Sequence, residues 1–406
     1  MSTVLPCVED LGPEREMEAS PSDGDRSALV AHARRTLTDQ LGDSEAEVGT
    51  GEACGVVGVQ ARQTHYSDGF ALLMPTDMGT AVALREAETP RVVFAPEGRV
   101  WAKGGEGVPE WVEVVLGTVE AVCESNALEV SVASTVLPGC SDGYWASLIV
   151  ALLRAIRALE VPTVLDTERI DVLRDALVPR LVDEVTQATG EPYGPAHLQA
   201  TFAGDAPAFT LVDTETREHL PVETDARSAL HWAVIDPTGA TNGRPHDPAL
   251  HRRRKEQAEA ALARLRTEGF DDLRAFRNLE HRDLERATRM LPPTLRPVVR
   301  HLVTENRRVQ KHVAALRRSD WQMVGALLLM SHASLRDDWE GATPAASALV
   351  SAVETRTHNG LYGACMTERG GAVLVVGRPH VFESGLQHLL RAVEGPAEEE
   401  PAVRHL

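Results

Sequence analysis

Four side chains able to act as nucleophiles, bases or metal ligands stand out: Cys54, His65, Cys140 and His197. A Cys with a His can make a nucleophile–base pair or a soft-metal site. The simpler account is small cysteines that pack and histidines satisfied by hydrogen bonds, so no metal is expected. The stretch Gly139-Cys140-Ser141-Asp142-Gly143 runs into a mostly apolar helical segment, Trp145–Leu159. The start of a helix offers free backbone N–H groups and the positive end of its dipole to an anion. Here Asp142 brings the chain's own carboxylate to that place, where it can cap the helix. Against a phosphate about 4 Å away, like-charge repulsion would be about 4 kcal/mol at an intermediate dielectric. The five cysteines (Cys7, Cys54, Cys123, Cys140, Cys365) form no CxxC pair, so neither a disulfide framework nor a zinc ribbon is indicated. The run Arg252-Arg253-Arg254-Lys255 reads as a solvated helix face.

Those residues need elements to hold them. Helical spacing covers Ser27–Leu41, Trp111–Cys123, Ile170–Gln187, Leu250–Thr267, Arg282–Met290, Leu295–Arg318 and Asp320–Leu335, with Asp320 as an N-cap. Strands are expected at Gly55–Val59, Phe70–Met74, Thr80–Leu84, Arg91–Phe94, Leu128–Ala133, Phe209–Val212, Leu230–Ile235 and Ala372–Val376. The mixture predicts an α+β chain of two lobes. Residues 1–26 read as a disordered acidic leader and 394–406 as a tail.

A formal net charge of −19 disfavours nonspecific binding to nucleic acid or an anionic membrane. The longest apolar run, Leu148–Leu153, is far too short to span a bilayer. Glu9, Asp10, Glu14 and Glu16 argue against a secretory leader, and cytoplasmic residence is the default expectation.

The stretch from Ala53 to Gly69 resembles a galactokinase signature. Its frame survives as Ala53, Gly55, Val57, Thr64, Tyr66, Asp68 and Gly69. The family's working residues do not. Val56 stands in place of an Arg, Arg62 and Gln63 in place of Glu-His, and His65 in place of the sugar-binding Asp. The motifs His301-Leu302-Val303-Thr304-Glu305-Asn306-Arg307-Arg308-Val309 and Ser331-His332-Ala333-Ser334-Leu335-Arg336-Asp337-Asp338-Trp339-Glu340 are similar to those of galactokinases in their scaffold helices. Galactokinases are GHMP small-molecule kinases. The resemblance covers roughly residues 28–385. It implies a ribosomal-protein-S5-like N-terminal lobe over 27–220 and a ferredoxin-like C-terminal lobe over 221–393, with the site between them.

The remaining family motifs are altered. In the phosphate loop the family's serine triplet becomes Gly143-Tyr144-Trp145, and Asp142 lies where phosphates would arrive. In the base motif, Gly190-Glu191-Pro192-Tyr193-Gly194-Pro195-Ala196-His197, the family's Asp is His197. The third motif reads Met366-Thr367-Glu368-Arg369-Gly370-Gly371, shortened and charged, with Arg369 expected to be a flexible surface cation. Loss of a positioned base costs about 10²–10⁴-fold. The resemblance therefore implies a protein that has lost efficient sugar phosphorylation and binds a sugar-like ligand or a protein partner. Arg62, Gln63, His65, Asp68, Gly194 and His197 are the candidate ligand residues. Two alternatives stay open: an active sugar kinase using Mg-ATP at an altered site, and different chemistry at a Cys140/His197 cleft. No cofactor is expected under the first reading.

Overall fold

The computed structural model describes residues 26–406, apart from 66, 96, 124–126, 161–162, 164–169, 205–208, 238–246, 368 and 394–400. The leader expected over 1–26 lies, except for Arg26, outside the described residues. So do Tyr66, Glu368 and the Pro- and Glu-rich part of the tail.

A helix α1 (Arg26–Leu41) precedes strands β1 (Gly49–Gln60), β2 (Phe70–Glu86), β3 (Arg91–Phe94) and β4 (Val100–Ala102). Helix α2 (Glu110–Val122), β5 (Leu128–Ser134), α3 (Asp142–Ala158), α4 (Ile170–Thr189) and α5 (Ala196–Phe202) follow, then β6 (Phe209–Asp213) and β7 (Glu218–Val222). These strands form one sheet organised by β2. Strand β1 runs antiparallel along one edge of β2, while β5 and β6 share its other edge. The sequence had suggested two strands, Phe70–Met74 and Thr80–Leu84. They form a single 17-residue strand: Cys54 pairs with Gly79 and Val56 with Pro75, so β2 sets residues 76–78 opposite Gly55 alone and bulges there without ending. The Thr76 hydroxyl donates to the Gly55 carbonyl at 3.1 Å and carries the pairing past the proline.

The second half holds α6 (Ala226–Ala229), β8 (His231–Asp236), α7 (Pro248–Thr267), α8 (Leu284–Met290), α9 (Arg296–Arg317), α10 (Trp321–Ser334), α11 (Pro344–Glu354), β9 (Leu361–Met366), β10 (Val373–Gly377), α12 (Pro379–Val393) and β11 (Ala402–His405). Its sheet runs β11-β8-β10-β9, all antiparallel. Residues 402–405, grouped with the tail on sequence, thus add an edge strand beside β8. Asp320 caps α10 as expected, accepting from Met323 N at 3.1 Å. No described helix is long and apolar enough to cross a membrane.

Helix α9 belongs to both hydrophobic cores. Val298, Val299, Leu302 and Val303 pack into the core of the second sheet. Val309, Val313, Ala315 and Leu316 pack into that of the first.

Candidate functional site

Strand β1 delivers the chain to the site. Past Gln60 it turns through 61–69, with Ser67 N and Gly69 N both donating to Thr64 O. This turn carries Arg62, Gln63 and His65, all buried. His65 Nδ1 lies 2.9 Å from the Ala61 carbonyl oxygen. A carbonyl can only accept, so Nδ1 is the donor. Its Nε2 points at Asp142 Oδ2, 2.8 Å away.

Asp142 is the first residue of α3 and has no side-chain exposure. Its carboxylate does not cap the helix as expected. The cap position is Ser141, whose side chain makes no capping hydrogen bond and whose φ of 45° is left-handed. The Asp142 carboxylate instead turns sideways. Oδ2 takes His65, and Oδ1 accepts from Arg369 Nη2. Arg369 also binds Glu191 Oε2 at 3.0 Å and the Pro192 carbonyl at 2.5 Å. The phenol of Tyr193 donates to the Asp142 carbonyl at 3.1 Å.

Burial alone would raise the pKa of Asp142. The charge of Arg369, then the hydrogen bond and charge of His65 and the charge of His197, outweigh it and hold the carboxyl well below the usual range. Arg369 is therefore not the flexible surface cation expected from sequence. It is 1 % exposed, bridges two carboxylates and ties the β9–β10 turn to α3.

The rest of that turn closes on the same place. Thr367 Oγ1 and Ala372 N both donate to the Gly139 carbonyl at 3.3 Å. Gly370 is packed so closely that a Cβ would stand 2.1 Å from that carbonyl oxygen. Gly143 abuts Val56 in the same way, with 1.9 Å between a hypothetical Cβ and the Val56 oxygen.

The predicted ligand residues divide. His65, Gly194 and His197 come together: the two imidazoles meet edge to face at 5.5 Å, and Gly194 leaves 2.2 Å between a hypothetical Cβ and His65 Cδ2. Gln63 is buried with both amide atoms unpaired and φ 58°. Arg62 turns inward, donating to Val59 O at 2.6 Å and Met366 O at 3.1 Å. Asp68 is exposed on the turn. Among the described residues, the group of candidate metal-ligating atoms is His65, Asp142 and His197, and neither Cys54 nor Cys140 belongs to it. Burial, then Asp236, pushes the Cys140 thiol up to about 12, which does not suit a nucleophile. Of the two aromatics expected to crowd the loop, Tyr144 joins the first core and Trp145 packs against it.

The surviving scaffold motifs do structural work around this site. His301 Nε2 meets the Arg62 carbonyl at 3.2 Å, and its Nδ1 meets Ser334 Oγ at 3.0 Å. Glu305 takes the Gln60 amide at 2.5 Å and the Ser331 hydroxyl at 2.7 Å. Asn306 accepts from Phe70 N at 2.9 Å. His332 Nδ1 accepts from Met366 N at 3.3 Å. Burial first and Arg62 second depress His312 to about 3 and His332 to about 4, so both stay neutral at pH 7. A separate open cleft of about 490 Å³, lined by Arg277, Arg307 and Gln310 among others, holds none of the predicted ligand residues.

No protein-family model matches the chain. It is 29 % identical to a galactokinase of Streptomyces coelicolor over 85 % of this chain and 88 % of that one. The crystal structure of Lactococcus lactis galactokinase complexed with galactose superposes with a TM-score of 0.74 at 19 % identity, covering 94 % of this chain and 97 % of the other. Phosphomevalonate kinase of Streptococcus pneumoniae shares the fold more distantly, with a TM-score of 0.55 at 10 % identity over 88 % of this chain and 99 % of its own.

Proposed function

We propose that this galactokinase-like chain, which has the two-lobed GHMP kinase fold with its ribosomal-protein-S5-like and ferredoxin-like halves, has lost efficient sugar phosphorylation and acts by binding a sugar-like ligand or a protein partner. The observation that carries the reading is the buried network at the start of α3. Phosphate binding at a helix N-terminus needs open backbone donors and available cations. Here the cations are engaged. Arg369 lies between Asp142 and Glu191, and His65, with both ring nitrogens facing acceptors, bonds to Asp142. The Arg369 guanidinium thus meets two carboxylates, and His65 hydrogen-bonds one of them, so the groups that could hold a phosphate are held by one another.

Simple repulsion by Asp142 is not the obstacle to a nucleotide, because its charge is already met. A triphosphate would have to displace Arg369 and part the β9–β10 turn from Gly139. The residues present do not fit Mg-ATP. The transfer centre points the same way. Val56 is a core residue without charge, and His197 replaces the expected carboxylate base.

The test is a coupled assay of the purified protein with galactose and Mg-ATP, together with calorimetry of Mg-ATP binding. The expected result is no detectable turnover and no micromolar binding. Turnover near the ordinary kinase range of about 1–100 s⁻¹ would overturn the proposal. A thermal-shift screen with sugars then identifies the ligand, because specific binding raises apparent stability by mass action.

A further inference from the structure

We infer that His65 Nε2, Asp142 Oδ2 and a ring nitrogen of His197 form a binding site for a divalent first-row transition metal, with zinc the expected occupant. Two imidazoles and one carboxylate are a zinc ligand set, with the fourth tetrahedral position left to water or a ligand. The candidate ligand atoms all lie within 4.8 Å of one another, and the three residues are 0–1 % exposed. They come from three separate segments: the β1–β2 connection, the first turn of α3 and the first turn of α5.

The residues around the three ligands are arranged to support an ion. Metal-binding histidines donate their other ring N–H to a carbonyl or carboxylate, which fixes the tautomer. His65 Nδ1 does this to the Ala61 carbonyl at 2.9 Å, so the lone pair on offer belongs to Nε2. Asp142 is held likewise, with Oδ1 bound by Arg369 and Oδ2 turned to the imidazole. Nε2 of His65 and Oδ2 of Asp142 thus lie side by side, 2.8 Å apart, as two ligands of one ion would.

The geometric adjustment is small. Tetrahedral bonds of about 2.0–2.2 Å set ligand atoms about 3.3 Å apart. The His65–Asp142 pair opens by about 0.5 Å, and even the widest separation in the group closes by about 1.5 Å. Gly194 packs under the His65 ring, holding it where it stands. The site also gives one reason for two departures from the galactokinase pattern, since both positions that carry Asp in that pattern carry imidazoles here. It does not depend on the loss of phosphotransfer.

The experiment uses the full chain, purified without a metal-affinity tag, stripped with chelator, then titrated with zinc and with cobalt. One metal per chain is expected. The cobalt complex should show the d–d absorption of tetrahedral nitrogen–oxygen coordination with no thiolate charge-transfer band. His197→Gln, which leaves the Asp142–Arg369 pair in place, should weaken zinc binding at least about 100-fold while the circular dichroism spectrum stays native. His65→Gln should do the same. Failure of the folded wild type to bind zinc or cobalt stoichiometrically would overturn the inference, as would undiminished binding by His197→Gln. If both variants fail to fold, the wild-type cobalt spectrum decides: thiolate bands would assign the metal to cysteines and refute the site.

Discussion

Replacing Arg369 with Met keeps much of the side-chain volume and removes the charge from the centre of the buried network. Asp142 and Glu191 are 0 % and 3 % exposed, so neither regains water by a small movement. Removing one partner of a buried ion pair costs about 3–5 kcal/mol, because the other charge is left unmet. Arg369 meets two carboxylates and a carbonyl, which places the expected loss in the upper half of that range. The assay is urea unfolding at pH 7 followed by circular dichroism. Arg282→Met is the control, since that side chain is 78 % exposed and its loss should stay within about 0.5 kcal/mol. Combining Arg369→Met with Asp142→Asn removes one of the two stranded charges, leaving Glu191, and should recover about 1–3 kcal/mol as coupling energy. If Arg369→Met proves as mild as the control, or if the double variant is merely additive, the network is not the buried latch described above.

Stability should fall with acid. His312 and His332 have folded pKa values of about 3 and 4, below the ordinary 6.5. Between pH 6.5 and 4 the unfolded chain therefore binds protons that the folded chain refuses. Each histidine removes at most about 1.4 kcal/mol per pH unit over that window, and the loss is absent above 6.5. Urea midpoints that do not move between pH 7.5 and 5 would contradict this. Gly143→Ala should cost about 3 kcal/mol, because its Cβ would meet the backbone oxygen of Val56 at 1.9 Å; a variant as stable as wild type would show that α3 and β1 are less tightly apposed.

Elements governed by local pattern were readable in the sequence. Helices α9 and α10 match their periodicity nearly to the residue, and Asp320 caps where its type and place predict. What was missed depends on distant partners. Arg369 beside two glycines reads as a loop cation, and its burial follows from distant partners, Asp142, 227 residues away, and Glu191. His65 and Asp142 were each identified as departures from a family pattern, yet nothing local says that they bond to each other across 77 residues. The segments on either side of Pro75 and Gly79 read as two strands because propensity does not show that one strand can bulge through 76–78 and go on pairing. Short α5, which carries His197, has too few residues to show a period.

Helix α9 has a consequence for how the molecule comes apart. Its 22 residues span about 33 Å, one end embedded in each core. Neither half can melt without stripping apolar cover from the other, so the two sheets constitute one cooperative unit instead of two independent foldons. Heating or denaturant should give a single transition. A fragment ending near the sequence boundary at 220 lacks Val309, Val313 and Leu316, which complete the first core, and it should emerge as an aggregation-prone, protease-sensitive chain, not as an isolated domain.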